Sequence, residues 1–297
     1  MKLFKKIVVG IDFSDSSKQA LRQAELLARE EDSRIVALHA VTASEVEDYK
    51  GYYLLETDAI LKAFRNHVES LIEETLGDKG RAEARVSIGI PYRELVQTVE
   101  EENADLLVLG SRGKSAAPDK LGFFAAKCVR HGKHPVLLTR ENQRNAFRCI
   151  VACVDFSDAT ADVIEVAAKV ALDEKAALHI VHADCPPWMR ATHILYDLRP
   201  AESPDFQSQY RELKEEQLLT AVNAASQFLP LDIHRHFLEH ANPGQAILDF
   251  LASHDADLAI IGRRGHTALR DILIGSMAER IIHHSPCSVL TVPPGRI

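Results

Sequence analysis

Lys6-Ile-Val-Val-Gly-Ile-Asp12-Phe-Ser14 returns later in the chain as Arg148-Cys-Ile-Val-Ala-Cys-Val-Asp155-Phe-Ser157. Each is an apolar run that stops at the same Asp-Phe-Ser triplet. Ile35-Val-Ala-Leu-His39-Ala40 recurs as Leu178-His-Ile-Val-His182-Ala183, and both pairs are offset by 143 residues. Ala104-Asp-Leu-Leu-Val-Leu-Gly110-Ser-Arg-Gly113 recurs as Ala256-Asp-Leu-Ala-Ile-Ile-Gly262-Arg-Arg-Gly265 with the offset grown to 152. The chain is therefore a tandem repeat whose second copy carries about nine extra residues. A chain of 297 residues divided in two gives halves of ordinary domain size.

Within each copy, short apolar runs alternate with stretches of helical period, the pattern of a parallel sheet with crossover helices. First-copy strands are expected near residues 6–11, 34–40, 84–88, 105–109 and 135–139. The near-continuous apolar content of Leu106–Leu109 and Leu258–Ile261 suits strands covered on both faces. Ser16 to Glu31 sets Ala20, Ala24, Leu27 and Ala28 on one stripe and Lys18, Arg22, Glu25 and Arg29 on the other, which predicts a crossover helix. The expected fold is α/β, with two doubly wound domains over 1–141 and 146–297, each a five-stranded, mainly parallel sheet flanked by helices. The polar stretch 141–145 reads as a linker, short enough that the copies should pack as a built-in dimer. The second copy's extra length is placed between Asp184 and Gln209, where Pro186, Pro187, Pro200 and Pro204 predict a covering loop containing Trp188, Tyr196 and Phe206.

Composition narrows the function. The formal net charge is −8, from 35 Lys+Arg and 43 Asp+Glu, which argues against a nucleic-acid partner. No apolar run approaches the roughly 18 residues of a membrane span. The apolar stretch Ile7–Ile11 ends at Asp12, too soon for a signal-peptide core, and a cytoplasmic location is expected. Five cysteines without a C-x-x-C pair suggest neither a disulfide framework nor a zinc finger.

The chemistry-bearing constellation lies in the second copy. Gly262-Arg-Arg-Gly265 follows the fourth strand, and Gly275-Ser276 opens the next helix, a spacing of G-x2-G-x9-G-S. Glycines after a strand can turn backbone N–H groups toward anionic oxygens, and a helix N-terminus adds unpaired amides and a positive dipole end. Together they could hold a polyphosphate, with Arg263, Arg264, His266 and Arg270 nearby to offset charge. Ser276-x-x-Glu279 also reads as a capping box, so Ser276 could serve either role.

Asp155-Phe-Ser, the Asp257-Leu-Ala-Ile-Ile-Gly262 strand and the G-x2-G-x9-G-S spacing resemble the universal stress protein family, and the resemblance covers nearly the whole chain twice. It implies a five-stranded parallel sheet with ATP held at the strands' carboxyl ends, possible Mg²⁺ included. By that resemblance Asp155 and Ala183 contact the adenosine end, with Ile261 at the adenosine side of the turn. Gly262, Arg263, Gly265, Gly275, Ser276 and Met277 then surround the phosphates. Open α/β sheets bind ligands in the crevice beyond their strand ends, so the physics agrees.

The first copy departs from the pattern. Aligned backwards from His134-Pro135 onto Ser285-Pro286, it sets Phe124 opposite Gly275 and Ala125 opposite Ser276, on a loop one residue longer that contains Pro118. A bulky side chain where backbone must approach phosphate should disable that site, unless Gly122 substitutes. Gly113-Lys114-Ser115 mimics the end of a Walker A loop, but Val108 occupies the position of its first glycine. His234 and His236 alternate on one expected strand and could chelate zinc or copper with a third ligand; packing is the simpler role. His283-His284 at a helix end suits its dipole. No nucleophile elbow, HExxH pair or second magnesium-binding acid is present, so strong enzyme activity is not indicated, while slow ATP hydrolysis stays open because a polyphosphate turn with Mg²⁺ supplies some charge stabilisation.

Two functions from different classes follow. The first is a stress-response sensor or switch whose second domain binds ATP or a related adenine nucleotide. The alternative is a tandem interaction scaffold that binds a protein partner or another ligand without ATP dependence.

Overall fold

A computed structural model describes residues 3–28, 33–112, 122–141, 146–189, 203–224, 233–263 and 274–295. The chain divides into two compact units, Met1–Ala146 with Cys287–Thr291, and Phe147–Pro286 with Val292–Ile297.

The first unit runs β1 (Lys6–Gly10), α1 (Asp15–Leu27), β2 (Arg34–Val41), α2 (Ala43–Tyr53), α3 (Thr57–Leu76), β3 (Glu83–Ile88), α4 (Pro91–Glu101), β4 (Leu106–Gly110), α5 (Phe123–His131) and β5 (Val136–Thr139). The strands lie in the order β3-β2-β1-β4-β5, all parallel. Strand β10 (Ser288–Val292) pairs with β5 antiparallel, through Leu290 opposite Leu137. Val8, Val9, Leu106 and Val108 are buried, as continuous apolar strands with helices on both faces require. Ser14 caps α1 by accepting from the Ser17 amide, and Thr42 with Glu45 forms a complete capping box on α2.

The second unit runs β6 (Cys149–Val154), α6 (Ala159–Glu174), β7 (Ala177–Asp184), α7 (Pro204–Ala224), β8 (Ile233–Glu239), α8 (Pro243–Ser253), β9 (Leu258–Gly262) and α9 (Ser276–His284). Its parallel strands lie in the order β9-β6-β7-β8. In each unit the first strand has the second on one side and the fourth on the other. That is the topological switch point at which a crevice opens beyond the carboxyl ends.

Two expectations about the extra segment change. The covering loop was expected to reach Gln209, but α7 begins at Pro204 and takes in Phe206 and Gln209. Proline is favoured in a helix's first turn, where its missing N–H is unneeded, so Pro204 starts a helix rather than excluding one. Pro187–Met189 forms a short 3₁₀ turn carrying Trp188, while Tyr196 and Pro200 lie outside the described residues. So do Arg29, the linker residues 142–145, Gly113, Lys114, Ser115 and Pro118. Among the described residues no helix is long and apolar enough to cross a membrane.

Candidate functional site

The Asp-Phe-Ser triplet closes the first strand of each unit in the same way. Asp155 Oδ1 accepts from the Ser157 amide at 3.0 Å and from its hydroxyl at 2.5 Å, and Asp12 does the same with Ser14. These short loops let the chain turn through a left-handed residue, and that residue is phenylalanine both times: φ is 62° at Phe13 and 58° at Phe156. Such a backbone costs about 1–2 kcal/mol for a residue with a Cβ, so the Asp–Ser bonds and the ring's packing must offset it. The ring of Phe156 lies 4.1 Å from that of His182, and Phe13 lies 4.5 Å from His39.

Each of these histidines reaches back across the strand pair. His182 Nδ1 donates to the Val154 carbonyl at 2.9 Å, and His39 Nδ1 to that of Ile11 at 2.8 Å. The histidine thus ties the end of the second strand to the residue just before the aspartate. Burial lowers the pKa of both imidazoles, with the backbone hydrogen bond opposing it, so both are neutral at pH 7. With Nδ1 the donor, His182 Nε2 is an acceptor, and it is buried without a hydrogen-bond partner.

Around the second unit's triplet stands a wall that sequence reading missed. Tyr210 on α7 donates to Asp184, and Lys214 lies 3.6 Å from the same carboxylate. Burial would raise the Asp184 pKa; Tyr210 and Lys214 outweigh it and hold the group below its ordinary range. Lys214 sits 5.6 Å above the Phe156 ring, Trp188 packs edge-on to Tyr210 at 5.2 Å, and Phe237 stacks on His182 at 5.7 Å. Only the bare aromatics of the 184–209 stretch hinted at this wall, because its partners on α7 and β8 are distant in sequence.

The register brings the expected site residues to one end. Val154 pairs with His182 and Cys153 with Ile261, so Asp155, Ala183 and Gly262 are the next residues on three adjacent strands. Ala183 and Ile261 are buried and Asp155 is half-buried. The Arg263 amide donates to the Val292 carbonyl at 3.0 Å, and the Gly275 amide returns to the Arg263 carbonyl at 3.3 Å, tying the turn after β9 to the start of α9. Arg263 is itself buried, whereas Gly262, Gly275 and Met277 are half-buried and Ser276 is exposed. Gly265, Arg264, His266 and Arg270 lie outside the described residues.

The capping role foreseen for Ser276 is not realised. Gly275 is the cap residue of α9, at φ −60° and ψ 145°, and no side chain caps the helix. Ser276 is the first helical residue, its hydroxyl exposed beside amides that have no intrahelical partner.

The same geometry corrects the alignment of the first unit. Gly122 is the cap residue of α5 at φ −60° and ψ 138°, and its amide donates to the Ser111 carbonyl at 2.9 Å while Ser111 donates to Thr139. Gly122 and Gly275 stand 153 residues apart, and so do Thr139 and Val292. Gly122 is therefore the counterpart of Gly275, not Phe124, and the loop is one residue shorter, not longer. The prolines misled the backward alignment, since Pro135 and Pro286 do not occupy equivalent positions. What stands opposite Ser276 is Phe123, 66% exposed, with its ring 4.4 Å from the Lys127 ammonium.

His234 and His236 do share β8, and the fold brings His179 and His254 to them. His179 Nδ1 and His236 Nε2 are 3.0 Å apart, and the ring centroids of His179 and His254 are separated by 5.4 Å. Burial, with His254 and His234 adding to it, lowers the His236 pKa. Among the described residues no group of three such side chains is arranged to hold a metal ion. An open groove of about 360 Å³ lies between α8 and α9, lined by Leu248, Asp249, Arg280 and His284.

Comparison with known proteins agrees with this fold. The sequence model of the universal stress protein family matches residues 3–140 and again 146–293. Universal stress protein MJ0531 of Methanocaldococcus jannaschii is 29% identical over 153 residues, 51% of this chain and 85% of that protein. The crystal structure of a universal stress protein from Archaeoglobus fulgidus superposes with a TM-score of 0.65 at 22% identity, covering 98% of this chain and 99% of that one. A universal stress protein solved in complex with cAMP matches 51% of this chain and all of its own, at 21% identity and a TM-score of 0.38.

Proposed function

The chain belongs to the universal stress protein family, and from that premise we propose that its second unit binds ATP or a related adenine nucleotide and acts as a sensor or switch in the cytoplasmic stress response. The functional domains on this reading are 1–141 and 146–297. One observation carries it: the turn after β9 is hydrogen-bonded into the start of α9, and the helix opens with Gly275 and an exposed, uncommitted Ser276 hydroxyl. A helix N-terminus of this kind favours phosphate oxygens.

Asp155 and Ala183 take the adenosine end, with Ile261 beside the turn. Gly262, Arg263, Gly265, Gly275, Ser276 and Met277 take the phosphates, with Mg²⁺ where the polyphosphate brings it. The residues present suit that group, since they offer glycine backbone, a hydroxyl and a helix start at the end of three adjacent strands. A few charge-assisted hydrogen bonds of roughly 1.5–3 kcal/mol each can leave about −8 kcal/mol after the costs of binding, which is micromolar affinity. Titration calorimetry with Mg·ATP on the chain and on Ser276→Phe tests this. Binding is expected to weaken by roughly 100-fold or more in the variant with the fold retained, and unchanged affinity would overturn the proposal.

The scaffold reading draws on a different feature. Tyr52, Tyr53 and Leu54, at the end of α2, are 82%, 67% and 90% exposed, an apolar tip of the kind that meets partners. It predicts the same proteins pulled down with and without ATP, and a pulldown in which nucleotide changes the partners would remove it.

A further inference from the structure

The first unit holds an anion of its own at the corresponding turn. Glu141, two residues beyond β5, accepts from the Ser16 hydroxyl at 2.8 Å, and its other oxygen lies 3.9 Å from Arg112. Ser16 packs directly against Gly110: a Cβ on that glycine would stand 2.6 Å from Ser16 Cβ and 2.8 Å from its backbone carbon. The carboxylate therefore sits beside the Gly110-Ser111-Arg112 turn, against the first turn of α1. Ser111 Oγ, in the same turn, is buried without a hydrogen-bond partner.

The second unit differs at these positions. At the offsets the repeat defines, Ala159 stands for Ser16 and Pro294 for Glu141, so neither side chain is repeated; the carboxylate nearby is Asp162 on α6, which accepts from the Gly295 amide at 2.8 Å. The arginine remains on both sides, as Arg112 and Arg264. In the first unit the carboxylate faces the turn's arginine, whereas the second unit's Asp162 is held by a backbone amide.

We propose that Glu141 is a built-in anion that occupies the first unit's crevice and closes it to polyphosphate. This rests on the assignment of the equivalent crevice in the second unit to nucleotide, and it assigns the asymmetry to charge as well as to shape. Phe123 removes the hydroxyl that Ser276 supplies. Glu141 neutralises Arg112, engages Ser16 and repels phosphate from the turn at close range. Removing either obstacle alone leaves the other.

The test counts Mg·ATP sites by calorimetry on four full-length chains: the natural sequence, Phe123→Ser, Phe123→Ser with Glu141→Gln, and Phe123→Ser with Glu141→Ala. Glutamine keeps an oxygen for Ser16 and removes only the charge, while alanine removes both; thermal unfolding confirms that each variant folds. The expected result is one additional site per chain in both double variants and none in Phe123→Ser. An additional site in Phe123→Ser alone, or none in either double variant, overturns the proposal. The second-unit reading is judged separately, by whether the natural sequence binds at all. An extra site that appears only with the Glu141 change supports the internal anion even if the natural chain binds nothing.

Discussion

The two units share a strand order, an Asp-Phe-Ser turn with a left-handed phenylalanine and a histidine tied to the strand before it. They differ where the fourth strand's turn meets the next helix. Both helices begin on a glycine at nearly the same dihedral angles, φ −60° at Gly122 and at Gly275. The cap geometry of these two helices therefore does not distinguish them. The distinction lies in the side chains set on that backbone: Phe123 against Ser276, and Glu141 bonded to Ser16 against Pro294 and Ala159. Duplication keeps a fold through its apolar strands, and on the proposed reading a few residues at the strand ends decide whether an anion is welcome.

The largest effect should come from making the second unit resemble the first. Ser276→Phe is expected to weaken Mg·ATP binding by roughly 100-fold or more, the loss of one or two charge-assisted hydrogen bonds, measured by calorimetry with unfolding temperature as control. Equal binding by that variant would mean that Phe123 does not separate the units. Next comes Asp155→Ala, which should cost roughly tenfold in affinity, while Asp12→Ala leaves affinity alone. Each should also lower stability by about 1 kcal/mol, because each aspartate holds its own turn through two bonds to serine. A loss of affinity from Asp12→Ala would place nucleotide in the first unit.

Smaller effects arise from the buried imidazoles. His39, His182 and His236 have folded pKa values below the ordinary 6.5, with burial the first cause. The unfolded chain then takes up their protons more readily, so stability is level above about pH 6.5 and falls as the pH drops below it. Denaturant unfolding at pH 7.5 and 5.5 should show this loss. His182→Asn, which can still donate to the Val154 carbonyl, should reduce the pH dependence, and an unchanged slope would remove His182 from the account. The smallest effect is chemical: Cys128 on α5 is buried, with its thiol pushed up to about 12, and should resist alkylation until the chain unfolds. Labelling of Cys128 in the native protein would show that α5 opens locally.

The sequence made much of the architecture readable. The apolar runs marked every first-unit strand to within two residues, since strands covered on both faces must be apolar throughout. The site was readable as far as local spacing reaches: Asp155, Ala183, Gly262 and Gly275 meet at one end because each directly follows or precedes a readable element. The register of α5 was not, because its glycine had to be matched across loops of different length and a proline drew the match two residues away. Ser276 as a cap was also misread, because a capping box and a helix start after glycine look alike until the dihedral angles of Gly275 are known. Glu141 on Ser16, and Tyr210 and Lys214 on Asp184, are pairings over 125 and about 30 residues, which no local pattern records. The left-handed Phe13 and Phe156 run against a bulky residue's preference, and only the folded turn reveals them.

The central claim is that one unit accepts nucleotide and the other excludes it. Titrating Mg·ATP into the purified, nucleotide-free chain tests it most directly. The account predicts one site per chain with micromolar affinity; two sites, or none at millimolar ATP, would contradict it.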